Sequence, residues 1–126
     1  MSDRMLTGQL ECHITGVGDL EAVGEMTVTA ASASPDGKAQ TGALMWFADI
    51  LATCLVLGDA GVPGDSDDFP AAQILNACRT SVPAIGRITG KCEWITRDGS
   101  LTMLRTRLVD DNGELLFEMT SAYGRS

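Results

Sequence analysis

The longest apolar run of the chain covers residues 43–57, in which only Asp49 and Thr53 are polar. These two residues are four positions apart, so a helix places them on one face, one turn from each other. Thr41 suits the N-cap position before the run, and Gly58 suits the left-handed residue after it. The pattern predicts one helix that is apolar around its circumference, and such a helix is enclosed either by protein or by lipid.

A membrane span is the less favoured interpretation of this run. A span needs about 20 apolar residues, whereas this run is shorter, has a carboxylate near its middle and lacks flanking clusters of Lys and Arg. We therefore expect a buried core helix and no membrane partner. Burial disfavours the ionised form of Asp49, so we also expect the pKa of its carboxyl group to be raised.

Segments on both sides of the helix alternate between apolar and polar residues, which is typical of strands. The predicted strands are residues 9–15, 21–31, 71–79, 84–96, 100–109 and 114–123. The last three are predicted to form an antiparallel meander, and residues 59–68 a long acidic loop. We predict one α+β domain, residues 1–126, in which a curved antiparallel sheet wraps around one long central helix.

The net charge of −8 at pH 7 argues against a nucleic-acid partner. The charge is unevenly distributed, because up to residue 68 only Arg4 and Lys38 face eleven acids, whereas seven basic residues face six acids thereafter. Two interpretations of the second half remain open. The basic residues could form a local patch that binds a phosphorylated small molecule, or they could lie on a solvated outer face of the sheet.

Four cysteines, at positions 12, 54, 78 and 92, form no closely spaced pair. We interpret them as reduced, small core residues of a cytoplasmic protein, for which we expect no secretory signal. A metal site is not expected, since the chain has one histidine and no zinc-ligand spacing. That residue, His13, is interpreted as an ordinary strand residue. Cys54 is rejected as a nucleophile, because apolar surroundings raise the pKa of a thiol.

The residues around the helix start resemble a known family. Gln40-Thr41-Gly42 precedes Asp49 at the spacing found in hotdog-fold acyl-CoA thioesterases of the phenylacetate-pathway-like branch. Members of that family often have His-Gly-Gly before the helix and a catalytic carboxylate two turns inside it. Asp49 matches this carboxylate, and Thr53 matches a helix threonine that assists in some members. The chain departs from the family in having Gln40 in place of His and Thr41 in place of the first Gly.

The resemblance implies hydrolysis of an acyl-CoA or related thioester, with no cofactor apart from this substrate. Backbone amides at Thr41, Gly42 and Ala43 could stabilise the developing oxyanion, because a helix N-terminus presents unpaired N–H groups. Asp49 could attack directly or activate water, and Thr53 could donate a hydrogen bond to it. These two roles of Asp49 are not separated by the sequence.

Six residues are candidates for substrate binding: Gln40, Trp46, Asn76, Arg87, Lys91 and Arg97. Gln40 stands at the family's histidine position, and Asn76 resembles a strand position that carries Asn or Asp in many relatives. Trp46 could line the acyl pocket or belong to the core. The three basic residues could contact the phosphates of coenzyme A near the surface.

Two further interpretations stay open beside the thioesterase. Asp49 could be a buried structural acid, in which case the chain would be a non-catalytic module that binds an acyl group or another hydrophobic ligand. A hydratase or dehydratase is disfavoured, because the Asp/His pairing usual on the helix of such enzymes is missing.

Helix geometry predicts self-association. Gly42 and Asp49 are seven residues apart, which is roughly 10 Å along one helix at 1.5 Å per residue. A thioester carbonyl has to lie about 3 Å from its amide donor and equally close to the attacking group. One Asp side chain cannot bridge the remainder, so the two elements would come from different subunits. We expect an obligate homodimer with composite sites, and pairing of dimers into a tetramer is left open.

Overall fold

The computed structural model describes residues 4–6, 11–57, 72–98 and 101–124. One helix, α1 (Thr41–Leu57), lies between strands in the chain. The strands are β1 (Arg4–Leu6), β2 (Cys12–Val17), β3 (Glu21–Thr27), β4 (Ala72–Arg79), β5 (Arg87–Asp98), β6 (Leu101–Val109) and β7 (Leu115–Gly124). They form one antiparallel sheet in the order β1-β2-β3-β5-β6-β7-β4.

The helix packs on one face of the sheet, against β2, β3, β5, β6 and β7. Along β5 and β6, residues that face the helix alternate with exposed residues, as the two-residue period of a strand requires. Phe47 and Leu51 of the helix are fully buried against this inner face. The predicted α+β architecture is confirmed, and so is the meander of the last three strands.

Two glycines allow the helix to approach the sheet closely. Gly24 of β3 and Gly90 of β5 are direct cross-strand partners on the inner face. A Cβ atom on Gly90 would lie 2.5 Å from Leu51 Cδ1 and 2.8 Å from Leu108 Cδ2. A Cβ atom on Gly24 would lie 2.8 Å from a backbone oxygen and 3.3 Å from Leu51 Cδ2. We call this pair the glycine notch, and Leu51 occupies it.

Several strand boundaries differ from the predictions. Strand β3, predicted to extend to residue 31, ends at Thr27, because Ser32 closes a turn by accepting a hydrogen bond from the Thr29 amide. Strand β5, predicted to begin at residue 84, begins at Arg87. The short strand β1 was not predicted. The predicted acidic loop, residues 59–68, and the start of the first predicted strand lie outside the described residues.

The cysteines are thiols, and three of them are core residues as predicted. Burial raises the pKa of Cys12 to about 12 and that of Cys92 to about 12. The prediction was wrong for Cys78, which is exposed. The reason is that Cys78 is the cross-strand partner of Glu118, on the face of the sheet opposite the helix.

Candidate functional site

The helix begins one residue earlier than predicted. The carbonyl oxygen of Gln40 accepts hydrogen bonds from the amides of Ala43 (3.0 Å) and Leu44 (3.2 Å), so Gln40 is the N-cap residue and Thr41 is the first helical residue. The Thr41 hydroxyl instead accepts a hydrogen bond of 2.9 Å from Nη1 of Arg79. The prediction of Thr41 as N-cap was therefore wrong, because a residue of β4 engages its side chain.

The side chain of Gln40 faces back towards the preceding loop. Its Nε2 donates a hydrogen bond to the carbonyl of Ala33 (3.1 Å), and its amide donates to the carbonyl of Ser32 (2.8 Å). Ser32 is buried, at 3% exposure. Gln40 thus orients the loop that leads into α1, and any role in substrate binding would be additional to this contact.

That loop has its own tight turn. Asp36 accepts hydrogen bonds from the hydroxyl of Ser34 (2.5 Å) and from the amide of Lys38 (3.1 Å). These hydrogen bonds lower the pKa of the Asp36 carboxyl group, the one from Ser34 most strongly. The loop is therefore held in a defined turn just before the helix starts.

The first two helical amides remain available for a ligand. Ala43 was a candidate oxyanion donor, but its amide donates to Gln40. Among the described residues, no backbone carbonyl accepts from the amides of Thr41 or Gly42. Gly42 is exposed, and a Cβ atom placed on it would have no neighbour within 4 Å. The space on the Cβ side of Gly42 is thus open.

One stripe of the helix is not covered by the chain's own sheet. It consists of Gly42, Met45, Trp46, Asp49 and Ile50, which recur at the spacing of one helical face and are exposed or half-buried. We call these residues the open stripe. The helix was expected to be buried, whereas within this chain Asp49 is half-buried on this face.

Two other predicted site residues of the helix, Thr53 and Trp46, differ from each other in burial. Thr53 follows Asp49 by one turn but is 1% exposed, so the open stripe ends before it. Trp46 is partly buried and packs against the core, whereas its neighbour Phe47 is a fully buried core residue. The raised pKa expected for Asp49 stays a prediction.

A second uncovered surface lies beside the open stripe, on the inner face of β4. Leu75 and Ala77 are cross-strand partners of the buried residues Ser121 and Met119, so they point to the same side of the sheet as the helix. Leu75 is nevertheless 37% exposed, and Ala77 is exposed as well. The helix therefore leaves the inner face of the edge strand open.

Three of the other predicted binding residues, Arg87, Lys91 and Asn76, lie on the outer face of the sheet. Arg87 pairs with Asp111 (3.2 Å) and Lys91 pairs with Glu21 (3.6 Å), and both basic side chains alternate with helix-facing residues of β5. Asn76 is exposed, at a position that alternates with Leu75 and Ala77. Arg97 belongs to β5, but its side chain lies outside the described part. The side chains of Arg87, Lys91 and Asn76 thus lie on the face of the sheet opposite α1.

Sequence reasoning missed Arg79. It was noted only as one of seven basic residues in the second half, yet its hydrogen bond to Thr41 places it beside the helix start. The alternation of Leu75, Ala77 and Arg79 along β4 was the available signal, since it puts all three on one face. Which element that face meets depends on the sheet order.

The remaining sequence candidates add no site. His13 is the cross-strand partner of Glu25 on the outer face, and in the described ranges no group of three or more His, Cys, Asp and Glu residues could hold a metal ion. Cys54 is fully buried. No helix in the described part of the chain is long and apolar enough to span a bilayer.

Comparison with known proteins identifies the fold. No family model and no curated protein sequence matches the chain. Among solved structures, a thioesterase from Staphylococcus aureus subsp. aureus Mu50 aligns with a TM-score of 0.76 at 20% identity, over 90% of this chain and 91% of that one. The E. coli PaaI protein from the phenylacetic acid degradation operon gives a TM-score of 0.77 at 14% identity, over 91% and 79%. The chain has the hotdog fold.

Zebra fish thioesterase superfamily member 2 shows the same likeness, with a TM-score of 0.76 at 16% identity over 91% of this chain and 81% of that one. The agreement covers nearly the whole of the hotdog domain. It confirms the predicted fold and the resemblance to thioesterase superfamily members, including PaaI.

Proposed function

We propose that this hotdog protein hydrolyses an acyl-CoA or a related thioester to the free acid and the thiol. The observation that carries the proposal is the placement of Asp49, the one carboxylate of α1, on the open stripe among apolar side chains. The thioesterases among its structural neighbours support the same class of reaction. No cofactor is needed besides the thioester itself.

The proposed reaction uses the helix start and Asp49 together. The amides of Thr41 and Gly42 donate hydrogen bonds to the thioester carbonyl oxygen as it gains negative charge, and the helix dipole favours that charge. Asp49 either removes a proton from the attacking water or itself attacks the carbonyl carbon. In both routes a carbon–oxygen bond forms, the carbon–sulfur bond breaks, and the leaving thiolate takes up a proton. Water hydrolyses the anhydride that direct attack would leave on Asp49.

A homodimer completes this site. Roughly 10 Å separates Gly42 from Asp49 along one helix at 1.5 Å per residue, so we assign the two elements of each site to opposite subunits. Two surfaces on the chain support a second copy as the partner: the apolar open stripe, and the edge strand β4 with its exposed inner face. Both lie next to residues that the proposed site uses.

The deciding experiment is thiol release from a panel of acyl-CoA esters by the wild type and by Asp49→Asn. Asn is nearly isosteric and carries no charge, so the variant should fold with unchanged or higher thermal stability while turnover falls by about 100-fold or more. Glu118→Gln, which removes a carboxylate on the outer face that pairs with Arg107, is the matched control and should retain turnover.

Three outcomes are informative. Wild-type turnover by Asp49→Asn would overturn the assignment of Asp49. Binding of acyl-CoA without thiol release by the wild type would support the non-catalytic ligand-binding alternative. Release by the wild type and loss in Asp49→Asn would support the proposal.

The shared site has a separate test. Gly42→Pro removes an amide donor in the first helical turn, where proline is tolerated, and should abolish turnover in a homodimer. Hybrid dimers of Gly42→Pro and Asp49→Asn chains contain one intact site and should recover roughly half of the activity per dimer. Verified hybrids without recovery, or full activity in a proven monomer, would refute the composite site.

A further inference from the structure

A single hydrogen bond ties the edge strand to the first turn of the helix. Arg79, the last residue of β4, donates from Nη1 to the hydroxyl of Thr41 over 2.9 Å, although the two residues are 38 positions apart. Arg79 is half-buried. It therefore places a guanidinium group one residue from Gly42, at the end of the helix where the unpaired amides lie.

Helix stability does not account for this cation. The N-terminus of a helix carries a partial positive charge, so a positive side chain is unfavourable there and a negative one favourable. The first turn of α1 contains no acidic residue. Among the described residues, no carboxylate forms an ion pair with Arg79. The charge of Arg79 and the helix dipole thus add to one positive potential, which attracts a negative group.

We propose that Arg79 is a positioning residue for the oxyanion formed at the start of α1, an inference that rests on the proposed function. Its hydrogen bond fixes the side chain of Thr41 and so holds the first turn in one orientation, with the amides of Thr41 and Gly42 directed at the substrate oxygen. Its charge increases the attraction that these amides exert as the oxygen becomes negative. An interaction that strengthens as charge develops lowers the barrier more than it improves substrate binding.

The test compares Arg79→Met with Arg107→Met. Methionine keeps an unbranched apolar stem and removes the charge. Arg107 is the matched control, because it pairs with Glu118 (2.7 Å) on the outer face of the sheet. Arg79→Met should lower kcat by about 10- to 100-fold, the loss typical of one charged hydrogen bond, with little change in KM. Arg107→Met should leave both constants unchanged.

The thermal midpoint distinguishes the positioning role of Arg79 from a purely structural one. Because the cation is unfavourable at the helix start, Arg79→Met should leave the thermal midpoint unchanged or raise it while kcat falls. Arg79→Lys should restore part of kcat, since lysine keeps the charge without the planar donor geometry. A fall in thermal midpoint that parallels the lost activity would overturn the positioning role.

A double-mutant cycle with Thr41→Val shows whether Arg79 acts through Thr41. If it does, Arg79→Met combined with Thr41→Val should lower kcat no further than the more damaging single change. Independent, multiplicative losses would overturn the link to Thr41.

Absence of thiol release by the wild type would overturn the proposed function and this inference together. Release by the wild type that Arg79→Met retains in full would overturn the role of Arg79 alone.

Discussion

Replacement of Gly90 by alanine tests how closely the helix packs on the sheet. The added Cβ atom would lie 2.5 Å from Leu51 Cδ1, 2.8 Å from Leu108 Cδ2 and 3.1 Å from Phe47 Cε2. Normal carbon–carbon contacts are about 3.5–4.0 Å. All three neighbours are fully buried, so none of them can turn into solvent to relieve the overlap.

Two opposing effects set the magnitude. Overpacking of a well-packed core typically costs about 1–3 kcal/mol, because side chains leave their rotamers or the backbone shifts. The lower backbone entropy of alanine in the unfolded chain offsets about 0.4–1 kcal/mol. We expect a net decrease in the free energy of unfolding of about 1–2 kcal/mol for Gly90→Ala, which for a chain of this size lowers the thermal midpoint by roughly 3–8 °C.

Urea unfolding followed by circular dichroism measures this change, and Gly16→Ala is the matched control. Gly16 also lies in a strand, but a Cβ atom on it would have no neighbour within 4 Å. Gly16→Ala should therefore leave stability unchanged or raise it slightly. Equal or higher stability of Gly90→Ala relative to the control would refute the close packing of Leu51 in the glycine notch.

Two further predictions concern the thiols and the basic residues. A colorimetric thiol reagent at pH 8 should label Cys78 rapidly and the three buried cysteines only on unfolding, so Cys78→Ser should remove the fast phase. Burial raises the pKa of Cys12 and Cys92 from 9.0 to about 12. The two protonated thiols should therefore contribute fully to the free energy of unfolding below pH 9, and this contribution should be lost as the pH rises towards 12. A urea midpoint that stays constant when the pH is raised from 9 to 11 would contradict this burial. Neutralising Arg87, Lys91 and Arg97 together should raise the KM for acyl-CoA and make this KM less dependent on salt concentration. The control variant Arg105→Gln should change neither property. An unchanged KM in the triple variant would contradict the predicted contact with the phosphates.

The fold could be predicted because its signals are local. A run of apolar residues interrupted only by Asp49 and Thr53 predicts the helix, and alternating segments predict the strands, whatever the tertiary arrangement. The exposed position of Cys78 could not be predicted in this way, because the sequence of β4 does not reveal which of its two faces meets the helix, and Cys78 lies on the other one.

The candidate site was predicted less completely for a related reason. A helix that is apolar on every side gives no signal of which side meets the sheet, so the sequence placed Asp49 in the core when it lies on the open stripe. The N-cap was assigned to Thr41 on residue type alone. The Arg79 contact that engages its hydroxyl comes from 38 residues later in the chain, beyond the reach of any local rule.

The glycine notch also determines the direction in which Asp49 points. Leu51 follows Asp49 by two residues, which is roughly 200° around a helix of 3.6 residues per turn. Seating Leu51 between Gly24 and Gly90 therefore turns Asp49 to the opposite side of the helix, away from the sheet. The contact of Leu51 with the glycine notch thus fixes the rotation of the helix about its own axis. Two glycines of the sheet thereby determine the direction of a carboxylate on the far side of the helix.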